Sequence, residues 1–303
     1  MIKKLDEMIN HLQIGPKVVL SVAAAHNEEV LISIKEAVDM NIIHPILIGN
    51  VESIRSISKT INFNLEGIEI IQENDISKCA EIAVRLVNEN KADFIMKGLL
   101  DTSVFLKAVL NKEFGLKQDR LLSHVMIYEI ENYHKLLLIT DAGMNIKPTY
   151  EQKEDIIKNS IQAARVLGID EIKIACLAAV EKVNSKMPAT IDARKLQEAS
   201  QNGKFGEDVI VEGPMAFDLA VSKHSSEIKG FNGNVAGDAD IIVVPFIEVG
   251  NALGKSLTYM SKSKSAGIVM GAKTPIVLTS RADSSQSKLY SIIYGALISK
   301  STN

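Results

Sequence analysis

Residues 17–25, KVVLSVAAA, form a run that is apolar almost without interruption. A strand with one face in water alternates polar and apolar residues. A continuous run belongs in a parallel sheet covered on both faces by helices. A helical pattern follows at once over 27–40, with Val30, Leu31, Ile34, Ala37 and Val38 on one face. The unit then recurs. Residues 45–48 and 67–71 read as strands, separated by a short helix near 51–58. Asn74 or Asp75 can cap a helix to about residue 88, and 92–96 is another strand, ended by Lys97-Gly98. Strands alternating with helices predict a doubly wound α/β sheet.

The texture changes further on. The runs 121–128 and 135–140 are joined by the polar turn Glu131-Asn132-Tyr133, which suggests an antiparallel pair. Thr149 and Gln152 form a capping box for a helix ending at Gly168. Strands are expected at 173–179, 208–212 and 239–245. Asp192 is read as the cap of a helix toward 202, and Asn251 as the cap of a helix over 251–260. The last unit is TPIVLTSRADSSQ, 274–286: a short strand, a polar turn, then a helix with Leu289, Ile292, Ile293, Ala296 and Leu297 in register. Asp283 with Gln286 reads as its cap. A domain break is placed near 140. A first α/β domain of 1–139 plus 268–303 and a second of 140–267 follow if the last strand and helix return to the first domain.

Composition narrows the function classes. The chain has 303 residues and a net charge of −3, which argues against a nucleic-acid surface. Cys79 and Cys176 lie in apolar patterns without metal or CxxC spacing, and the histidines at 11, 26, 44, 124, 134 and 224 are scattered. No metal is expected, and no run reaches membrane-spanning length. A soluble cytoplasmic protein is the expectation. No GxGxxG follows the first strand, and 250–256, GNALGKS, misses the P-loop by one residue between its glycines.

What remains are polar groups at strand ends, where α/β proteins bind ligands. Ser280 and Arg281 lie where a strand gives way to a helix N-terminus, a place that attracts anions. They can equally be turn residues, and Asp283 can be no more than a cap. Lys97 with Thr102, the group Asp141, Asn145 and Lys147, and Asn251 complete the set. Together they suit a phosphorylated or carboxylated small ligand.

Several stretches carry a resemblance: MKGLLDTS (96–103), TDAGMNIKPT (140–149), AAVEKVNSKMPATIDA (178–193), VEGPMAFDLAVS (211–222), NGNVAGDADIIVVPFIEVGNAL (232–253) and GAKTPIVLTSRADSS (271–285). They resemble the phosphate acetyl/butyryltransferase family, and its butyryl branch most. The resemblance implies an enzyme moving a short acyl group, butyryl, between coenzyme A and inorganic phosphate. It implies two α/β domains with a cleft between them, a fold shared with isocitrate/isopropylmalate-type dehydrogenases. It also implies a homodimer with no tightly bound cofactor, whose partners are acyl-CoA, phosphate and acyl phosphate. In its terms Arg281 holds phosphate and Ser280 stabilises developing charge. The acetyl branch uses an aspartate beyond this pair as base. Counted without gaps, that position is Ser287, not an acid. Other readings are a phosphate acetyltransferase, a metal- and nicotinamide-dependent dehydrogenase of the same fold, and a non-catalytic acyl-CoA sensor.

Overall fold

The computed structural model describes residues 1–12 and 15–302. In chain order the elements are α1 (Glu7–Leu12), β1 (Val18–Ala23), α2 (Glu28–Asp39), β2 (Ile43–Gly49), α3 (Val51–Thr60), β3 (Glu69–Gln72), α4 (Ile76–Asn88), β4 (Phe94–Lys97) and α5 (Thr102–Val109). Then come β5 (Ser123–Glu129), β6 (Leu137–Thr140), α6 (Tyr150–Arg165), β7 (Ile172–Leu177), α7 (Pro188–Gln201), β8 (Val209–Met215), α8 (Phe217–Val221) and α9 (Lys223–Ile228). The chain closes with β9 (Ile241–Val243), α10 (Ile247–Tyr259), β10 (Lys264–Met270), β11 (Ile276–Val277) and α11 (Ser285–Thr302).

The chain forms two compact units. One comprises Asp6–Arg120 and Ala266–Asn303; the other comprises Met1–Leu5 and Leu121–Ser265. The division therefore falls at 120/121 rather than near 140, because the hairpin of β5 and β6 packs with the strands that follow it.

In the unit of Asp6–Arg120 and Ala266–Asn303 the strand order is β3-β2-β1-β4-β11-β10. All pairs are parallel except β10 with β11. From β1 the chain winds outward through β2 and β3, then crosses back to place β4 on the other side of β1. The β1/β4 boundary is thus a topological switch point. At such a point successive loops leave in opposite directions and open a crevice at the strands' carboxyl ends. Ala23 of β1 pairs in register with Lys97 of β4 there. The helix closing this unit, α11, is buried on every side from Lys288 to Ser299, not along one stripe. Its polar positions are paired: Ser291 Oγ accepts from the Gly267 amide at 2.9 Å, and Ser299 Oγ donates to the Asp93 carbonyl at 3.2 Å.

In the other unit the order is β5-β6-β9-β7-β8, parallel except for the β5–β6 hairpin. The α6 capping box is complete, with Thr149 and Gln152 each bonded to the other's backbone amide. Gly168 closes the helix end at φ +68°, a left-handed position suited to glycine. Asp192 is not a cap. Pro188 starts α7, and Asp192 lies inside it, bonded to Lys153 at 2.6 Å.

Candidate active site

Lys97 ends β4 with a relative exposure of 4%. Its Nζ donates to the Leu100 carbonyl at 3.0 Å and the Gly98 carbonyl at 3.4 Å. It has no carboxylate partner among the described residues. Burial, then the positive charges of Arg281 and Lys288, hold the ammonium below the ordinary lysine value; Asp101 and Asp283 oppose this more weakly. The loop carrying it is laced to the end of β1, with the Gly98 amide bonded to the Ala23 carbonyl and the Leu99 amide to the Ala24 carbonyl, both at 2.8 Å. A Cβ on Gly98 would stand 2.3 Å from the Ala24 carbonyl oxygen and 2.5 Å from that of Ala23. Both obstacles are backbone, so the loop must move. Gly98→Ala is expected to cost about 1–3 kcal/mol of stability and to lower activity by displacing Lys97. Denaturant melts and initial rates check both.

Next to β4, β11 leads into the turn that carries Ser280 and Arg281. Asp283 builds this turn rather than capping the helix. Its Oδ2 accepts from the Ser280 amide at 2.8 Å, while the α11 cap bond runs from the Ser287 amide to Ser284 Oγ at 3.2 Å. Ser280 Oγ accepts from the Ala282 amide at 3.3 Å and can still donate its own hydrogen. Arg281 bonds the Asp101 carboxylate, and both side chains are two-thirds exposed or more. Asp101 stands at the start of α5 yet makes no side-chain cap bond. Thr102, the first residue of α5, is exposed.

Lys288 is a member that reasoning from the sequence missed. It is 3% exposed, donates to the Asp283 carbonyl, and is held below the ordinary lysine value by burial, against the pull of Asp283 and Glu29. The signal was present. Positions 288, 292 and 296 share one helix face, so a lysine stood in a core stripe beside Ile292 and Ala296. Lys97, Lys288 and Arg281 thus gather at the carboxyl ends of β4 and β11, with the nearby carboxylates engaged in the turn and the Arg281 pair. Such a group can hold a phosphate.

The other candidates lie in the other unit. Asp141 is 2% exposed and organises its own loop: Oδ1 accepts from the Gly143 and Met144 amides at 2.9 and 3.0 Å, and Oδ2 from the Asn145 amide at 3.2 Å. Asn145 Nδ2 donates to that same carboxylate and to the Leu122 carbonyl. These two residues therefore shape a loop. Lys147 is exposed, its Nζ 6.0 Å from the Phe246 ring centre. Asn251 is not an N-cap. The helix starts four residues earlier at Ile247, without a side-chain cap, and Asn251 is exposed in its second turn. Among the described residues, no three His, Cys, Asp or Glu side chains are grouped to hold a metal ion.

Comparison with known proteins matches residues 73–296 to the family described as phosphate acetyl/butaryl transferase. The chain is 42% identical over 298 residues to a phosphate butyryltransferase of Clostridium beijerinckii, covering 98% of each. Among solved structures it resembles a branched-chain phosphotransacylase from Enterococcus faecalis V583, at 34% identity and a TM-score of 0.81, over 93% of this chain and 99% of that one. A 4-hydroxythreonine-4-phosphate dehydrogenase from Klebsiella pneumoniae aligns at 15% identity with a TM-score of 0.50, over 93% and 99%. That likeness concerns the fold alone and agrees with a dehydrogenase-like α/β architecture. The match over residues 73–296 and the 42% identity along nearly the whole chain fix the lineage: the chain belongs to the phosphate acetyl/butyryl transferase family.

Proposed function

We propose that this protein is a phosphate butyryltransferase, which transfers a short acyl group between coenzyme A and inorganic phosphate. The observation that carries the reading, within this family, is the gathering of Arg281 and Lys288 with the Lys97 amine at the ends of β4 and β11. Arg281 keeps Asp101 on one nitrogen and turns the rest of its guanidinium to the phosphoryl group, to which such a fork is matched. Ser280 donates to the oxygen that gains charge as the carbonyl becomes tetrahedral. Asp283 keeps both residues in place through the Ser280 amide. Thr102, exposed at the start of α5, is a polar contact proposed for the substrates; in its own unit Lys147 offers an exposed cation. Asp141 and Asn145 act by shaping the loop that leads to Lys147, and Asn251 offers an exposed amide on α10.

The acyl group passes directly between thiolate and phosphate while both substrates are bound. Holding them together replaces a bimolecular encounter, and excluding water protects the acyl phosphate from hydrolysis. Coenzyme A is a substrate, and no tightly bound cofactor takes part. The same reading carries a cytoplasmic homodimer, checked by sedimentation and cell fractionation. No helix among the described residues is long and apolar enough to cross a membrane.

The test is thiol release from butyryl-CoA on adding phosphate, followed with a thiol reagent over acetyl, propionyl, butyryl and branched acyl-CoAs. Release greatest with butyryl-CoA supports the reading. Greatest release with acetyl-CoA makes the protein a phosphate acetyltransferase, a reading favoured by relatives of that name at 39% identity. One methylene is worth about 1–3 kcal/mol in an apolar pocket, so this preference is measurable. Binding of butyryl-CoA without release would make it a sensor. Retention of a labelled acyl group on the protein would rule out direct transfer.

A further inference from the structure

We infer that the Lys97 amine is the proton carrier of the reaction, taking the proton of the CoA thiol and handing it to the departing phosphate. This rests on the acyl-transfer reading above. The carboxylates of this cluster are poorly placed for the task. Asp101 is bonded to Arg281, and Asp283 accepts from the Ser280 amide. Each carboxylate is thus committed to holding a neighbour in place.

Lys97 differs in each respect. It is buried, and among the described residues no ion pair holds its charge. It makes two hydrogen bonds, to the carbonyls of Gly98 and Leu100. An ammonium carries three hydrogens and an amine two. Both carbonyls therefore stay satisfied when one proton leaves, and the remaining tetrahedral position becomes a lone pair. The charged groups that bear on Lys97 come from three places: Asp101 on its own loop, Arg281 and Asp283 on the turn after β11, and Lys288 on α11. Burial and the two cations outweigh the two carboxylates and favour the uncharged amine.

The step balances. The S–H bond breaks and an Nζ–H bond forms. The thiolate pair makes the C–S bond as the carbonyl pair moves onto oxygen. That pair returns, and the acyl C–O bond breaks toward phosphate. The phosphate oxygen takes the proton from Nζ and leaves as hydrogen phosphate. Acyl phosphate dianion and neutral thiol have become thioester and hydrogen phosphate dianion, and the amine is uncharged again. The reverse reaction uses the same carrier. Hydrogen phosphate gives its proton to the amine, which passes it to the leaving thiolate. Both directions thus begin with an uncharged Lys97, and both rates rise with pH through one ionisation.

The experiment measures kcat/KM against pH for CoA acylation by butyryl phosphate and for phosphorolysis of butyryl-CoA. The wild-type protein is expected to show one shared rising limb that levels off. Lys97→Arg keeps the charge but cannot release its proton near neutrality. It should be about 100-fold or more slower, without the limb, and its CoA acylation should rise only with ionisation of the thiol itself. Activity within about threefold of wild type, with the limb retained, would overturn the inference. Should the arginine variant fail to fold, the wild-type profiles decide: limbs of opposite slope, or no limb in either direction, also overturn it. Absence of thiol release by the wild-type protein refutes the acyl-transfer reading itself and is a separate outcome.

Discussion

Arg281→Ala is expected to lower kcat/KM by about 10²–10³-fold, the usual loss when one preorganised donor to a developing charge is removed. The fold should not suffer. The side chain is 66% exposed, and its recorded partner is the 70% exposed Asp101. An ion pair so open to solvent contributes about 0–1 kcal/mol, so the thermal midpoint should move by at most a few degrees. The saturation curve for phosphate locates the loss. If the guanidinium binds the phosphoryl group, KM for phosphate rises strongly and thiol release falls with it. Arg281→Lys should recover only part of the activity, since an ammonium keeps the charge without the fork. Phosphate saturation like that of wild type in the alanine variant would remove Arg281 from the phosphate site.

How far this site could be read from the sequence depends on which force fixes each residue. The run at 17–25 announced a doubly covered strand because burial on both faces leaves a one-dimensional trace. Lys97 and Arg281 were legible because they stand where strands end. Lys288 was not singled out, because a charge inside a core stripe looks like a solvated helix position until α11 is seen enclosed on all sides. Caps were the weakest signal. Asn251 and Asp192 have capping side chains, but Pro188 and the backbone around Phe246 fix where those helices begin. Asp283 shows the same competition: it faced both the turn and the helix, and the turn took it. The engagement of Asp101 with Arg281 joins residues 180 positions apart, and no local pattern encodes that.

The largest effect on stability is expected at the amino ends of β6, β7 and β9, where Lys135 joins two carboxylates. Lys135 is 7% exposed; its Nζ lies 2.7 Å from Asp240 and 2.9 Å from Asp238. Asp238 also takes Lys173 and His134, each at 2.7 Å. Burial would raise the Asp238 pKa, but its bonds to Lys173, Lys135 and His134 outweigh burial and hold it well below the ordinary value. Asp240, 1% exposed, is raised by burial, with Lys135 opposing. In Lys135→Met, Asp240 keeps its bond from the Lys173 amide but loses its cation. Leaving a buried charge uncompensated costs about 3–5 kcal/mol, a midpoint drop of roughly 10 °C. The pH dependence has a definite sign. Asp240 binds its proton more tightly folded than unfolded, and more so without Lys135. The deficit relative to wild type is therefore smallest below the unfolded carboxylate pKa and grows as pH rises through the raised one. Adding Asp240→Asn should restore most of the loss, because the amide oxygen can still accept from Lys173 and no buried charge remains. A single-variant loss under about 1 kcal/mol, or a double variant no more stable than the single, would show that Lys135 is not compensating a buried charge.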